Sequence, residues 1–198
     1  MTKVLVLLGS PAPASNSAAA ANYFIEAYSK NNPEAEIEIV RVVDNQVGTF
    51  TTTILSGKPT AEDMEVLGQR TAILEKYMAA DKVILATPMW NFSLPGFFKE
   101  YIDCFFVAGK TFKYLAEPNE RGNLNEGLLA TKAIMHIQAM GGSHVGSPRD
   151  IGHAQIRQMF EFLDLVDMVY VPIEGTNIPG ASTLDIAKEK LSELAKTF

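Results

Sequence analysis

The sequence of 198 residues has little of several features that would define particular protein classes. Its single cysteine, Cys104, excludes an internal disulfide and suits a reducing compartment. No apolar run approaches the ~18 residues of a membrane span, and the run at 3–8 is too short for a secretory signal. The net charge is −6, and the chain has no dense cluster of lysine or arginine. We therefore expect a cytoplasmic protein that binds neither membrane nor nucleic acid.

Sequence motifs for several common catalytic chemistries are also missing. The three histidines lack the spacing of a metal site, so no bound metal is expected. Ser10 does not lie in the G-x-S-x-G turn of a serine hydrolase. Cys104 falls inside an aromatic helical pattern, which favours a buried, inert thiol, and His136 falls inside a strand-like run. No side chain is therefore predicted to act as a nucleophile, and no catalytic residue is assigned.

Short β-rich runs alternate with helical patterns along the whole chain. The predicted strands cover 3–8, 36–43, 82–87, 131–138 and 167–172. The predicted helices cover 16–30, 61–78, 95–107, a segment that starts at Ser147-Pro148-Arg149-Asp150, and 183–197. This alternation predicts one three-layer α/β domain over 1–198, with a five-stranded parallel sheet in the flavodoxin-like order 2-1-3-4-5 and helices on both faces. Two long loops, 44–59 and 109–130, suggest functional roles.

In such a sheet, ligands bind beyond the carboxyl ends of the strands, where strand order reverses between the first and third strands. The loop after the first strand offers Ser10, Ser15, Asn16 and Ser17 at a helix start, without lysine or arginine. Hydroxyls and helix N–H groups suit a single phosphate group better than a triphosphate, which would require cations. Taken alone, the same serines also fit an ordinary helix N-cap.

The loop after the third strand presents Met89, Trp90, Asn91 and Phe92 between two prolines. Its large apolar side chains would cover a flat ring, and the amide of Asn91 would bind ring heteroatoms. The alternative interpretation is that these aromatic residues close the core.

The loop after the fourth strand contains Ala139, Met140, Gly141 and Gly142. Consecutive glycines let a backbone approach a ligand closely, although a plain turn has the same pattern. Each of the three loops is ambiguous alone. Because all three fall at one predicted crevice, their combination favours a ligand site.

These segments resemble the FMN-dependent NADH azoreductase and NADH:quinone oxidoreductase family, which has a flavodoxin-like fold. The similarity extends over nearly the whole chain, and the loop after the third strand is its most diagnostic part. The matching segments are Lys3-Val4-Leu5-Val6-Leu7, Ser10…Ser15-x-Ser17, Pro88-Met89-Trp90-Asn91-Phe92, Lys99 to Asp103, Gly109-x-Thr111-Phe112-x-Tyr114, Gly141-Gly142-x-His144 and Glu174-Gly175.

The resemblance implies an FMN site with three parts. The phosphate and ribityl chain would be held by Ser10, Ser15, Asn16 and Ser17. The isoalloxazine ring would be embraced by Met89, Trp90, Asn91 and Phe92, and its polar edge flanked by Ala139, Met140, Gly141 and Gly142. The sequence departs from the family pattern twice, since Trp90 replaces a frequent tyrosine and Ala139-Met140 replaces a Ser-Arg pair. The second change removes a charge beside the flavin.

The resemblance further implies a reductase that passes electrons from NADH to quinones, azo compounds or other small aromatic acceptors. Because one pocket would receive both partners in turn, we expect ping-pong kinetics. No arginine is evident in the three loops to select a 2′-phosphate, which favours NADH over NADPH. A flavodoxin-type electron carrier without NADH oxidation and a flavin-free binding module are the alternative classes.

The predicted helix at 95–107 indicates a partner. Its apolar residues cover about half of the helix circumference, which is wider than one core contact requires. They are Phe97, Phe98, Tyr101, Ile102, Phe105 and Phe106. A loop that packs over the helix, such as 109–130, would explain its wide apolar surface equally. The resemblance implies a homodimer with sites completed by both chains, in which Phe112 and Tyr114 would line a substrate pocket. His144 would either meet the flavin edge or a substrate, or face solvent.

Overall fold

The computed structural model describes residues 1–12, 14–129, 131–181 and 183–198. Strands and helices alternate through the first and last parts of the chain, and a short hairpin interrupts them. The elements in chain order are β1 (Lys3–Leu8), α1 (Asn16–Asn31), β2 (Glu36–Arg41), α2 (Thr52–Leu55), α3 (Ala61–Ala79), β3 (Lys82–Pro88), α4 (Gly96–Asp103), β4 (Phe112–Tyr114), β5 (Asn125–Gly127), β6 (Ala133–Ala139), α5 (Ile151–Phe162), β7 (Met168–Ile173) and α6 (Thr183–Thr197).

Five of the strands form a parallel sheet in the order β2-β1-β3-β6-β7. Counting only these five strands, this is the predicted order 2-1-3-4-5, which is confirmed. The central strands carry apolar side chains that are buried on both faces, as Val6 on one face and Leu7 on the other illustrate with no exposed surface. Strand order reverses at β1, whose neighbours are β2 on one side and β3 on the other. The reversal of strand order therefore lies where it was expected.

Helices cover both faces of the sheet and bury two separate apolar clusters. One cluster joins the sheet to α3, α4 and α5, and its ring stack of Tyr77 on Phe105 has a centroid distance of 4.1 Å. The other joins the sheet to α1 and α6, where Ala187 and Leu191 are buried as the sequence pattern predicted. Both predictions for single core residues are confirmed as well. His136 has no exposed surface, and burial raises the pKa of the Cys104 thiol to about 11.

Several predicted element ends were wrong. Strand β2 stops at Arg41 instead of residue 43, because 42–45 forms a 3-10 turn. Helix α4 stops at Asp103 instead of residue 107, since the following amides bond three residues back, not four. Helix α5 begins at Ile151, after the predicted start at 147–150. The Ser147 hydroxyl does not cap α5 but donates to the carbonyl of His144 at 2.7 Å, within a preceding turn.

The two long loops also contain structure that the sequence did not predict. Helix α2 lies within 44–59, and the hydroxyl of Thr51 ties its start to Asp63 of α3 at 2.6 Å. Strands β4 and β5 form an antiparallel hairpin within 109–130, with Phe112 opposite Gly127. The capping box of Thr60 and Asp63 at the start of α3 is confirmed. Among the described helices, none has the length and apolar character needed to cross a bilayer.

Candidate functional site

Three loops lie side by side at the carboxyl edge of the sheet, each anchored by a backbone hydrogen bond to the neighbouring strand. Gly9 N–H donates to the carbonyl of Ala86 on β3 at 2.8 Å. Met89 N–H donates to Ala139 on β6, and Met140 N–H donates to Ile173 on β7, both also at 2.8 Å. The structure thus places the loop segments at 9–12 and 14–15, 89–95 and 140–150 along one edge, as the strand order predicted.

The first loop brings hydroxyl groups to the start of α1. Ser15 caps the helix, and its Oγ accepts the N–H of Ala18 at 3.1 Å. The Oγ atoms of Ser15 and Ser17 are 3.4 Å apart, while Ser10 is only 6% exposed and Ser17 is fully buried. Ser15 therefore is the N-cap that the sequence allowed as an alternative. The other hydroxyls are not needed for capping.

The backbone at this helix start also has donors to spare. Carbonyl and hydroxyl groups of Ser15 satisfy the amides of Ala18 and Ala19. Within the described part of the chain, the N–H groups of Asn16 and Ser17 donate to no other group. These two amides, nearby hydroxyls and the positive end of the helix dipole together suit an anion.

The second loop forms a tight turn from Trp90 to Ser93. These two residues exchange both backbone hydrogen bonds, at 2.9 and 3.0 Å. The central residues Asn91 and Phe92 have φ values of 48° and 70°, in the left-handed region. Asparagine tolerates this conformation, but a bulky residue such as phenylalanine is disfavoured there by about 1–2 kcal/mol. Backbone strain of this kind clusters at functional sites.

The strained turn presents its aromatic side chains to solvent. Trp90 is 45% exposed and Phe92 is 42% exposed. The ring of Phe97 on α4 contacts Trp90 edge-on, with 6.0 Å between centroids. The sequence left open whether these aromatic residues close the core or cover a ligand. Their exposure excludes a purely core role.

Helix α5 holds the turn in place. Its Gly152 N–H donates to the carbonyl of Phe92 at 3.1 Å, and the Ser93 hydroxyl donates to Gln155 Oε1 at 3.3 Å. Helix α5 approaches strand β6 closely here, because a Cβ on Gly152 would lie 2.2 Å from Nε2 of the buried Gln138. These contacts come from a segment about 60 residues later in the chain, so the sequence gave no local signal for them.

The third loop is closed by a segment after β7 to which the sequence analysis assigned no role in the site. Met140 is 1% exposed, and its carbonyl accepts both the N–H and the hydroxyl of Thr176, at 3.0 and 3.1 Å. Asn177 N–H donates to the carbonyl of Gly141, and Gly175 N–H to that of Gly142. The buried Met140 side chain therefore offers the site no polar group. In the described chain, the N–H groups of Gly141 and Gly142 have no hydrogen-bond partner.

The same loop continues to His144, which the structure brings beside the second loop. Its ring lies edge-on to Phe92, with 5.6 Å between centroids. The carboxylate of Glu174 accepts the backbone N–H groups of His144 and of Val145, the latter at 2.8 Å. His144 is thereby fixed at the rim of the crevice. The Glu174-Gly175 pair, quoted above only as part of the resemblance, supplies this closure.

Phe112 and Tyr114 lie elsewhere in the same chain. Phe112 is 6% exposed, and its ring packs on Phe162, the last residue of α5, at 4.8 Å. Tyr114 is 73% exposed on the β4-β5 hairpin. Gly152, which holds the aromatic turn, is ten residues earlier in α5, or about 15 Å along the helix. A pocket role for Phe112 and Tyr114 stays a prediction, and within one chain these residues are not beside the three loops.

Two arginines, Arg41 and Arg149, lie close to the site. Both are outside the loop segments in which the sequence analysis found no arginine. Arg41, at the end of β2, donates to the carbonyl of Pro11 at 3.4 Å and pairs with Asp44 at 2.8 Å. The guanidinium carbon of Arg149 lies 5.7 Å from the ring centre of Phe92. The predicted strand order could have indicated Arg41, because it places the end of β2 beside the first loop.

A buried polar cluster lies below the aromatic turn and links β3, β6 and α5. His136 Nε2 hydrogen-bonds to the Thr87 hydroxyl at 2.8 Å, and its Nδ1 lies 3.1 Å from Nδ1 of His153. Burial, with a smaller effect of His153, holds the pKa of His136 well below its ordinary value. Burial and the Arg157 charge lower the pKa of His153 to about 4. Both imidazoles are therefore neutral near pH 7.

Comparisons with known proteins agree with this geometry. A family described as having a flavodoxin-like fold matches residues 2–198. FMN-dependent NADH:quinone oxidoreductases from Staphylococcus haemolyticus (strain JCSC1435) and Staphylococcus aureus (strain MRSA252) are 32% and 35% identical over 214 aligned positions, covering both chains fully. The structure of an FMN-dependent NADH-azoreductase from Bacillus anthracis in complex with FMN matches with a TM-score of 0.86 and 27% identity, covering 98% of each chain.

A doubly wound parallel sheet in the order 2-1-3-4-5, with candidate ligand loops at the point where strand order reverses, is typical of a flavodoxin-like protein. The chain belongs to this flavodoxin-like family. The resemblance inferred from the sequence motifs is thereby confirmed.

Proposed function

We propose that the protein binds FMN across the three loops and transfers electrons from NADH to quinones and azo compounds. The observation that carries the proposal is the strained turn from Trp90 to Ser93, which exposes two aromatic side chains beside the hydroxyl-lined start of α1. The relatives named FMN-dependent NADH:quinone oxidoreductase, and the azoreductase structure containing FMN, support the cofactor and the enzyme class.

The donor set of the site fits FMN part by part. The hydroxyls of Ser10, Ser15 and Ser17 and the amide of Asn16 suit the phosphate and the ribityl oxygens. Trp90 and Phe92 offer apolar surface for a flat tricyclic ring. When bound, FMN supplies the hydride-accepting redox chemistry, which no protein side chain here provides.

The chain's own residues would bind and orient the flavin and shield it from water. The free N–H groups of Gly141 and Gly142 would donate to the polar edge of the ring, so the Ala139-Met140 departure leaves backbone recognition intact. Trp90 and Phe92 would exclude water from its face. The wall formed by Phe92 and His144 would receive the nicotinamide first and the aromatic acceptor second. Since both partners use one wall, one must leave before the other enters, which gives ping-pong kinetics.

The test is reconstitution with FMN, followed by initial-rate kinetics with NADH and menadione. We expect yellow protein, NADH oxidation and parallel double-reciprocal lines. Intersecting lines would contradict the ping-pong order, and FMN binding without NADH oxidation would indicate a flavodoxin-type carrier. A protein that stays colourless would overturn the flavin site. Ser17→Ala should weaken FMN binding. Ser29, which is exposed on α1, gives the control, and Ser29→Ala should bind FMN like the wild type.

We also propose a homodimer, but the structure supports it through a different surface from the one that the sequence indicated. Phe98, Tyr101, Ile102 and Phe105 are buried within their own chain, so the apolar arc of α4 no longer requires a partner. The support now lies at the site rim, where Trp90, Phe92, Val145 and Ile151 together expose apolar surface. Light scattering should give a dimer, and a monomer that still binds FMN would contradict it.

A further inference from the structure

Arg149 is a cation at the site rim whose partner is an aromatic face. Its guanidinium carbon lies 5.7 Å from the centre of the Phe92 ring. Among the ion pairs of the described chain, none includes Arg149. By contrast, Arg157, two turns later on α5, pairs with Glu161 at 3.0 Å. Arg149 therefore presents its hydrogen-bond donors beside the exposed ring.

Two acids of the neighbouring segments, Asp150 and Glu174, have other partners. The carboxylate of Asp150 lies 3.4 Å from the hydroxyl of Tyr170. The carboxylate of Glu174 accepts the amides of His144 and Val145. Neither acid pairs with the guanidinium by direct contact, so Arg149 remains available to an anionic group.

The aromatic partner retains surface for a ligand. Phe92 is 42% exposed even with Arg149 and His144 against it. Its backbone is anchored, because the Phe92 carbonyl accepts the Gly152 N–H at 3.1 Å. A guanidinium can stack on one aromatic ring while its N–H groups bond an acidic group, which an ammonium does less well.

We propose that Phe92, His144 and Arg149 form a subsite for flat aromatic acceptors that carry a carboxylate or sulfonate. The acceptor ring packs against Phe92 and the edge of His144, and the acidic group pairs with the guanidinium of Arg149. The acidic group takes no part in electron transfer and acts only in binding. This inference rests on the proposed reductase function and specifies its preferred substrate class.

The test compares two acceptors that differ by one acidic group, 1,4-naphthoquinone and its 2-sulfonate, with the FMN-loaded protein and NADH. Arg149→Gln should raise the KM for the sulfonate about tenfold, as expected for loss of a charge-assisted hydrogen bond, and leave the KM for the neutral quinone unchanged. Arg149→Lys should fall between these values, since it keeps the charge but loses the planar fork. Arg157→Gln is the matched control and should alter neither KM.

A binding measurement separates this inference from the proposed function. Calorimetric titration of the protein with 2-naphthalenesulfonate and with uncharged 2-naphthol requires no turnover. Arg149→Gln should weaken only the sulfonate. Equal losses for both compounds, or no loss, would overturn the subsite. A raised KM for NADH with unchanged acceptor constants would also overturn it, by assigning Arg149 to the dinucleotide. Failure of the wild-type protein to oxidise NADH would instead count against the reductase function.

Discussion

The loop at 9–15 and the turn at 90–93 border the same crevice but are held in shape by different forces. In the first, Ser15 caps α1 with ordinary extended backbone, and its hydroxyl satisfies a helix amide three residues on. In the second, Asn91 and Phe92 adopt left-handed conformations without any glycine. The paired hydrogen bonds of Trp90 and Ser93, and contacts from α5, above all the bond from Gly152 to Phe92, compensate for that cost.

This difference separates a wall formed by local rules from a wall imposed by the rest of the fold. At the serine loop, the group that stabilises the helix is also a candidate phosphate ligand, so stability and binding should change together. At the aromatic turn, the conformation that displays the ring is itself unfavourable, so stability and binding should change in opposite directions. Mutation and pH can test each half of this comparison.

The largest expected effect is the release of the aromatic turn by acid. His136 and His153 connect α5 to the sheet below the turn, and burial lowers both pKa values, that of His153 to about 4. An unfolded histidine titrates near 6.5. The stabilisation is therefore complete above about pH 6.5 and is lost as pH falls through about 4, by on the order of 2 kcal/mol.

Denaturant unfolding at a series of pH values would measure this loss. Trp90 is the sole tryptophan, so its emission reports the turn directly. We expect that emission to change on acidification before far-ultraviolet circular dichroism does, since the serine loop and α1 do not depend on the histidines. His153→Gln should flatten the pH dependence. Coincident changes at both probes would mean that the two walls share one stabilising source.

The next effect is at the serine loop. Ser15→Ala removes the N-cap of α1, which should lower the free energy of unfolding by about 1 kcal/mol, and it should weaken FMN binding as well. Thr60→Ala removes the equivalent cap of α3, far along the chain from the three loops. It should cost similar stability but leave FMN affinity unchanged. If both variants bind FMN like wild type, Ser15 is a structural cap only.

The sequence predicted the features of the site that local patterns determine, but not those that distant contacts impose. The sheet order and the three loops were predictable, because apolar strands alternate with helices and parallel strand ends meet at one edge. The left-handed Phe92 was not, since no glycine marks it and Gly152 acts from a distant helix. Ser147-Pro148 resembled a helix start, but the Ser147 hydroxyl bonds the His144 carbonyl instead.

The elements that the sequence missed are short or join distant parts of the chain. Helix α2 has four residues, and β4 and β5 have three each, too few to show a periodic pattern. Arg149 was treated as part of a helix start, and only the folded chain shows it against Phe92. Local patterns thus predicted the position of the site, and non-local contacts determine its charge and shape.

A smaller effect would measure the strain at Phe92 directly. Glycine is normally less stable than alanine by about 0.5–1 kcal/mol, but a left-handed position reverses that order. Phe92→Gly and Phe92→Ala both remove the ring, so their difference isolates the backbone. We expect the glycine variant to be the more stable by about 0.5–1 kcal/mol, while both bind FMN more weakly than wild type. A more stable alanine variant would show that the turn relaxes.

The smallest expected effect concerns the cation beside the serine loop. Arg41 donates to the Pro11 carbonyl but is exposed and paired with Asp44, so its field at a bound phosphate is screened. Arg41→Gln should weaken FMN binding about threefold, and by less at high salt. It should not change the affinity for riboflavin, which lacks the phosphate. Asp44→Asn should strengthen FMN slightly, because it removes the competing carboxylate. Flavin fluorescence titrations with both ligands would measure this. Equal losses for FMN and riboflavin would assign Arg41 to the shape of the loop, and the phosphate would then be held by neutral donors alone.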